Sequence, residues 1–145
     1  MRVALVMVAG LLASQAAFAD AEADINYRTA VMTSVGGHMK AIGTILRGGV
    51  HGEDLGFHAH ALADLTKIVP EIFPAGSGEG KTEALPAIWQ KPDDFKLAVH
   101  KFVDAANGLA EAVDSGDKAQ IGPAASALGK ACKNCHDNFR KEEKH

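Results

Sequence analysis

Apolar side chains recur at three- and four-residue steps in four stretches of the chain, and no run of comparable length alternates as a strand would. The first stretch carries Ile25, Met32, Val35, Met39, Ile42 and Leu46 and ends near Gly48-Gly49. The second carries Leu55, Leu62, Leu65, Val69 and Ile72 and stops before Pro74. The third carries Phe95, Ala98, Phe102, Ala105, Leu109 and Ala112 and ends around Ser115-Gly116; the fourth carries Ile121, Ala124, Leu128, Ala131, Cys135 and Phe139. Each repeats at nearly seven residues, the seam of helices packed at shallow angles. The pattern predicts an all-α fold, an antiparallel up-down-up-down four-helix bundle. Short glycine-bearing connections join the first helix to the second and the third to the fourth, whereas Pro74 to Lys91 forms a long Gly/Pro-rich loop of the kind that usually has a task. Pro123 falls inside the fourth stretch, which predicts either a helix starting near Gly122 or a kink there.

Ahead of these stretches, Arg2 precedes the apolar run Val3 to Leu12 and the small-x-small sequence Ala17-Phe18-Ala19. This is the pattern of a secretory signal peptide, residues 1–19, whose removal leaves one domain at 20–145. No other apolar segment is long enough to cross a bilayer, so export to the periplasm without membrane insertion is expected. The formal charge of −3 becomes one unit more negative when Arg2 is lost, which argues against nucleic acid as a partner.

The chain's two cysteines stand in Cys132-Lys133-Asn134-Cys135-His136, at the end of the fourth stretch. CxxCH is the attachment signature of a c-type haem: each thiol adds to one vinyl group, and the adjoining histidine reaches the iron as proximal ligand. A zinc site would need about four ligands, and no second cluster of suitable spacing exists. A redox CxxC needs no following histidine, and a disulfide across so short a loop constrains little. Haem attachment outside the cytoplasm agrees with the export signal. Two roles are open to Trp89, the single tryptophan: lying against a haem edge, or clipping the long loop to the bundle. Arg140, one turn past His136, either flanks the proximal imidazole or faces solvent. With Lys141 and Lys144 it forms a basic patch that either complements the helix dipole or docks an acidic redox partner.

The signal peptide, the four helices and a CxxCH run at the C-terminal end together resemble the class II c-type cytochromes, the cytochrome c-prime family. Supporting features are Tyr27-Arg28 ahead of an apolar residue four positions on, the loop Phe73-Pro74-Ala75-Gly76-Ser77-Gly78 with Leu85-Pro86-Ala87-Ile88-Trp89, and Phe139-Arg140 after the haem histidine. The resemblance implies one covalent haem c near the C-terminal end of the fourth helix. It also implies that the residue facing the iron opposite His136 is Met32, where gas-binding members commonly carry an aliphatic residue. A Met/His pair is the ligation of electron carriers; the plainer role for Met32 is core filler. Arg28 matches a basic residue that family members direct at a haem propionate, the plainer role being an arginine snorkelling from a helix start.

The expected function is therefore a periplasmic one-electron carrier with His136 and Met32 as axial ligands, Cys132 and Cys135 as attachment points, and Arg28, Trp89 and Arg140 around the haem. The alternative is a five-coordinate haem protein that binds nitric oxide or carbon monoxide. An enzyme is not expected, because no acid-base pair, nucleophile triad or phosphate-cradling loop stands out. Partners would be redox proteins, with the chain a monomer or a homodimer. The remaining histidines (His38, His51, His58, His60, His100 and His145) lack ligand spacing and are expected on the solvated surface.

Overall fold

The computed structural model describes residues 4–142, with side chains from Asp20 onward; the signal peptide expected at 1–19 lies outside the described side chains, and Lys144 and His145 lie outside the described residues. Five α-helices follow one another: α1 (Ala4–Gly48), α2 (Leu55–Leu65), α3 (Ala87–Gln90), α4 (Pro92–Asp114) and α5 (Lys118–Phe139). The long ones pack in the ring α1–α2, α2–α4, α4–α5 and α5–α1, which makes a four-helix bundle. Each contributes to one continuous core: Ile42, Leu62, Leu109 and Leu128 come from α1, α2, α4 and α5 and are sealed from solvent.

Local chemistry fixes the ends. Past α1 the chain reverses at Gly49, whose φ of 62° is a left-handed conformation that suits glycine. Pro92 opens α4, where its missing N–H has no helical partner to lose, and Asp93 and Asp94 sit in the first turn where the helix dipole favours anions. Asp117 caps α5 by accepting a hydrogen bond from the Ala119 N–H at 2.9 Å.

Three details depart from the periodicity. The second stretch is not one helix: α2 ends at Leu65 and the chain continues through a turn into a 3-10 segment, Val69–Glu71. Pro70 supplies the reason, since it lacks an N–H and disfavours helical geometry in the residue before it. The fourth helix does not start late, for α5 begins at Lys118 and runs through Pro123. The hydrogen bond lost there falls on the carbonyl of Ala119, which lies on an exposed turn where water can serve it. On α1, Ile45 rather than Leu46 completes the buried stripe, and Leu46 is exposed.

Candidate haem site

At about 100° per residue, Cys132, Cys135 and His136 share one face of α5, on consecutive turns with Leu128 before them and Phe139 after. Cys132 borders the main core, which Met32 of α1 also borders. Cys135 borders a second, smaller cluster built from Ala84, Ile88, Ala98 and Phe139, against which Phe73, Trp89 and Phe95 also pack. Both cysteines are free and half-buried. Burial raises the Cys132 thiol, and burial together with neighbouring Cys132 pushes the Cys135 thiol up to about 11. Both are therefore S–H groups at neutral pH before attachment, and each supplies the sulfur and the hydrogen that add across one vinyl. His136 is exposed beside them.

Around this face the long loop is tied down at three points. First, Arg28 is buried, not snorkelling, with only 4% of its surface exposed. Its Nη1 donates to the Ser77 hydroxyl at 2.7 Å and the Ile72 carbonyl at 3.3 Å, and its Nη2 donates to the Ser77 carbonyl and the Thr82 hydroxyl, each at 2.8 Å. Burial holds the guanidinium below its ordinary pKa while Asp24 works in the opposite sense. Ser77, wholly buried, passes its own hydroxyl proton to the Pro74 carbonyl at 2.9 Å.

Second, the strand-like run past α5 pairs with the loop in an isolated antiparallel bridge between Ala84 and Arg140. The Leu85 N–H donates to the Phe139 carbonyl at 2.9 Å and the Lys141 N–H to the Glu83 carbonyl at 2.8 Å. Lys141 Nζ donates to the Thr82 carbonyl at 2.7 Å, so this member of the basic patch serves as a loop anchor. Arg140 is half-buried, in extended backbone just beyond the helix.

Third, Trp89 clips the loop. Its indole N–H is shared between the carbonyls of Phe73 and Pro74, both at 3.2 Å. The ring lies so close to Gly78 that a Cβ there would come within 2.7 Å of it, so only glycine fits. A run of edge-on aromatic contacts completes the floor: the Arg28 guanidinium lies 5.1 Å from the Phe73 ring, Phe73 lies 4.9 Å from Phe95, and Phe95 lies 5.2 Å from Phe139. The sequence pointed to Arg28 and Trp89 but not to Ser77 and Thr82 as the partners that hold Arg28; small hydroxyl residues in a Gly-rich loop carry no signal of their own.

The residues fit a c-type haem: two thiols one turn apart, an imidazole beside them and an apolar floor. Among the described residues no helix is long and apolar enough to cross a membrane.

Comparison with known proteins agrees. The family model for cytochrome c' matches residues 23–140. A cytochrome c' of Pararhodospirillum photometricum is 42% identical over 84% of this chain and 99% of its own length. The structure of cytochrome c prime from Shewanella frigidimarina superposes with a TM-score of 0.80 at 36% identity, covering 84% of this chain and 97% of that one. A nitric oxide complex of a variant cytochrome c prime from Alcaligenes xylosoxidans superposes with a TM-score of 0.78 at 26% identity, covering 85% and 97%. The family carries covalently attached c-type haem, and so does this protein: the chain belongs to the cytochrome c' family.

Proposed function

We propose that this protein is a periplasmic, non-enzymatic haem protein that takes up nitric oxide or carbon monoxide at a five-coordinate iron. The observation that carries this reading is the likeness to cytochrome c' proteins, one of which was solved with nitric oxide bound. It reverses the order of the two expectations drawn from sequence, in which electron transfer with Met32 as a ligand came first. In this reading residues 1–19 direct export, Cys132 and Cys135 would hold the haem, and His136 would be the proximal ligand. The bound haem supplies an iron that exchanges single electrons and accepts diatomic gases.

The chain's own residues do the rest. Met32, half-buried on the core-facing side of α1, forms an apolar wall that limits what can approach from that side. Trp89 and the Phe73–Phe95–Phe139 floor exclude water. Arg28 has five N–H groups, of which four are committed to the loop; the fifth, on Nε, is the one it could offer to a propionate. Arg140, fixed by its backbone beside the histidine turn, would flank the imidazole.

The second reading, a Met/His electron carrier, is favoured by the same placement of Met32, because a thioether on that face is within the ligand chemistry of iron. Optical and electron paramagnetic spectra separate the two. The five-coordinate reading expects high-spin spectra in both oxidation states and carbon monoxide binding by the reduced protein. Met32→Leu, a swap that cores tolerate for less than about 1.5 kcal/mol, should leave the spin state unchanged. Met32→Ala should speed gas uptake by opening the wall. A low-spin protein that turns high-spin in Met32→Leu, and not in the control Met39→Leu, would establish the electron carrier instead.

A further inference from the structure

The surface histidines are not all solitary. His38 on α1 and His58 on α2, twenty residues apart in the chain, are half-buried against each other with Nδ1 atoms 2.9 Å apart. Their ring centroids are 5.1 Å apart with planes at 60°, and the exposed Phe57 ring flanks both, at 5.9 Å from His38 and 5.3 Å from His58. His58 borders a groove between the helices. Gly37 and Ala41 keep the α1 wall of that groove low, and His51 and Asp54 line it from the α2 side. Asp54 precedes His58 by one helical turn. A Cβ on Gly37 would meet nothing within 4 Å, so the approach is open.

From this arrangement we propose that His38 and His58 form a binding site for a divalent copper ion, bridging α1 and α2 through their Nδ1 atoms. Metal–imidazole bonds are about 2.0–2.1 Å. Two nitrogens 2.9 Å apart then subtend about 90° at the ion, the cis angle of a tetragonal site, whereas a tetrahedral ion would need them further apart. Tetragonal nitrogen and oxygen sites select Cu(II), which also stands highest in divalent affinity. The hydrogen-bonded pair needs one ring protonated on Nδ1. On binding, that ring moves its proton to Nε2, both rings turn their Nδ1 lone pairs onto the ion, and a neutral pair takes up or releases no net proton. Water is the oxygen donor open to the remaining positions. This site stands apart from the haem reading and does not depend on it.

The test is a titration of the metal-stripped holoprotein with Cu2+, followed by calorimetry and electron paramagnetic resonance. One ion per chain is expected at this site, with an axial signal split by two nitrogens and a raised thermal midpoint, because the ion binds only the folded arrangement. Zn2+ should bind at least tenfold more weakly. His38→Gln and His58→Gln should each weaken Cu2+ binding at least tenfold and abolish the thermal rise, with an unchanged haem spectrum showing that the fold is retained. His60→Gln, whose imidazole pairs with Asp114 at 2.9 Å elsewhere, should bind as the unaltered protein does. Wild-type affinity in the double variant, a signal with one nitrogen, or Zn2+ binding as tight as Cu2+ would overturn the proposal.

Discussion

The α4–α5 edge of the bundle and the α1–α5 edge are built differently. Many of the residues that α4 and α5 bring to the main core are small, with Ala105, Ala106, Ala110 and Ala112 on one helix and Ala124 and Ala125 on the other, beside Phe102, Leu109 and Leu128. Helix separation follows side-chain size at the contact, so these two helices lie close over their length. α1 brings the larger Val31, Met32, Val35, Met39 and Ile42 to the same core, and α1 and α5 approach each other at few points. The wider edge is bridged near the end of α5 by the long loop, through Arg28 on one side and Ala84, Leu85 and Lys141 on the other.

The largest effect that probes this contrast comes from the close-packed edge. Leu128 is wholly buried one turn before Cys132. Leu128→Ala removes a side chain that tightly packed neighbours cannot collapse to replace, and should cost about 3 kcal/mol in chemical denaturation of the holoprotein. A loss below about 1 kcal/mol would show that this edge relaxes freely and that the contrast is wrong.

Much of this architecture is legible in the sequence because it rests on a period. Stripes such as Val35 and Ile42 or Phe102 and Leu109 need only helical geometry to be seen. CxxCH was legible for another reason, since cofactor geometry fixes its spacing locally. What stayed hidden depends on contacts between distant residues. The partners of Arg28 lie 44 to 54 positions away, Ser77 and Thr82 among them in a loop without periodicity. His38 and His58 look solvated one at a time and become a pair only when α1 is laid on α2. Pro123 looked disruptive because the exposure of Ala119, which decides the cost, is a tertiary property.

The bridged edge supplies the intermediate effect. Arg28→Leu removes four donors and strands the Ser77 and Ile72 carbonyls in a buried site. Hydrogen bonds to a charged group contribute about 1.5–3 kcal/mol each when taken singly, but these four share one side chain and its desolvation, so a net loss of about 2 kcal/mol is expected. Hydrogen exchange should show where it falls: the amides of the loop from Ser77 to Leu85 should lose protection while α4 and α5 keep theirs. Uniform loss across all four helices would mean that the loop is no separate bridge. The double variant Arg28→Leu/Thr82→Val should cost less than the sum of its parts, since both remove the same contact.

The smallest effect returns to the close-packed edge, at the turn joining its two helices. Asp117 accepts hydrogen bonds from the Gln120 side chain at 2.8 Å and the Ala119 N–H at 2.9 Å, and both hold its carboxyl below the usual carboxylate range. A carboxylate with a depressed pKa stabilises the fold above its unfolded value, about 3.9, and that contribution disappears as pH falls through the lower folded value. Asp117→Ala should therefore lower the melting temperature slightly at pH 6 to 7, and the difference from the unaltered protein should shrink as the pH drops below about 4. Asp117→Asn separates cap from charge. Asparagine caps a helix about as well as aspartate but does not titrate, so it should match the parent near pH 3 and fall slightly below it at neutral pH, where only aspartate adds its charge to the start of the helix. If Asn and Ala behave alike at every pH, capping does not hold this turn, and the closeness of α4 and α5 rests on their alanines alone.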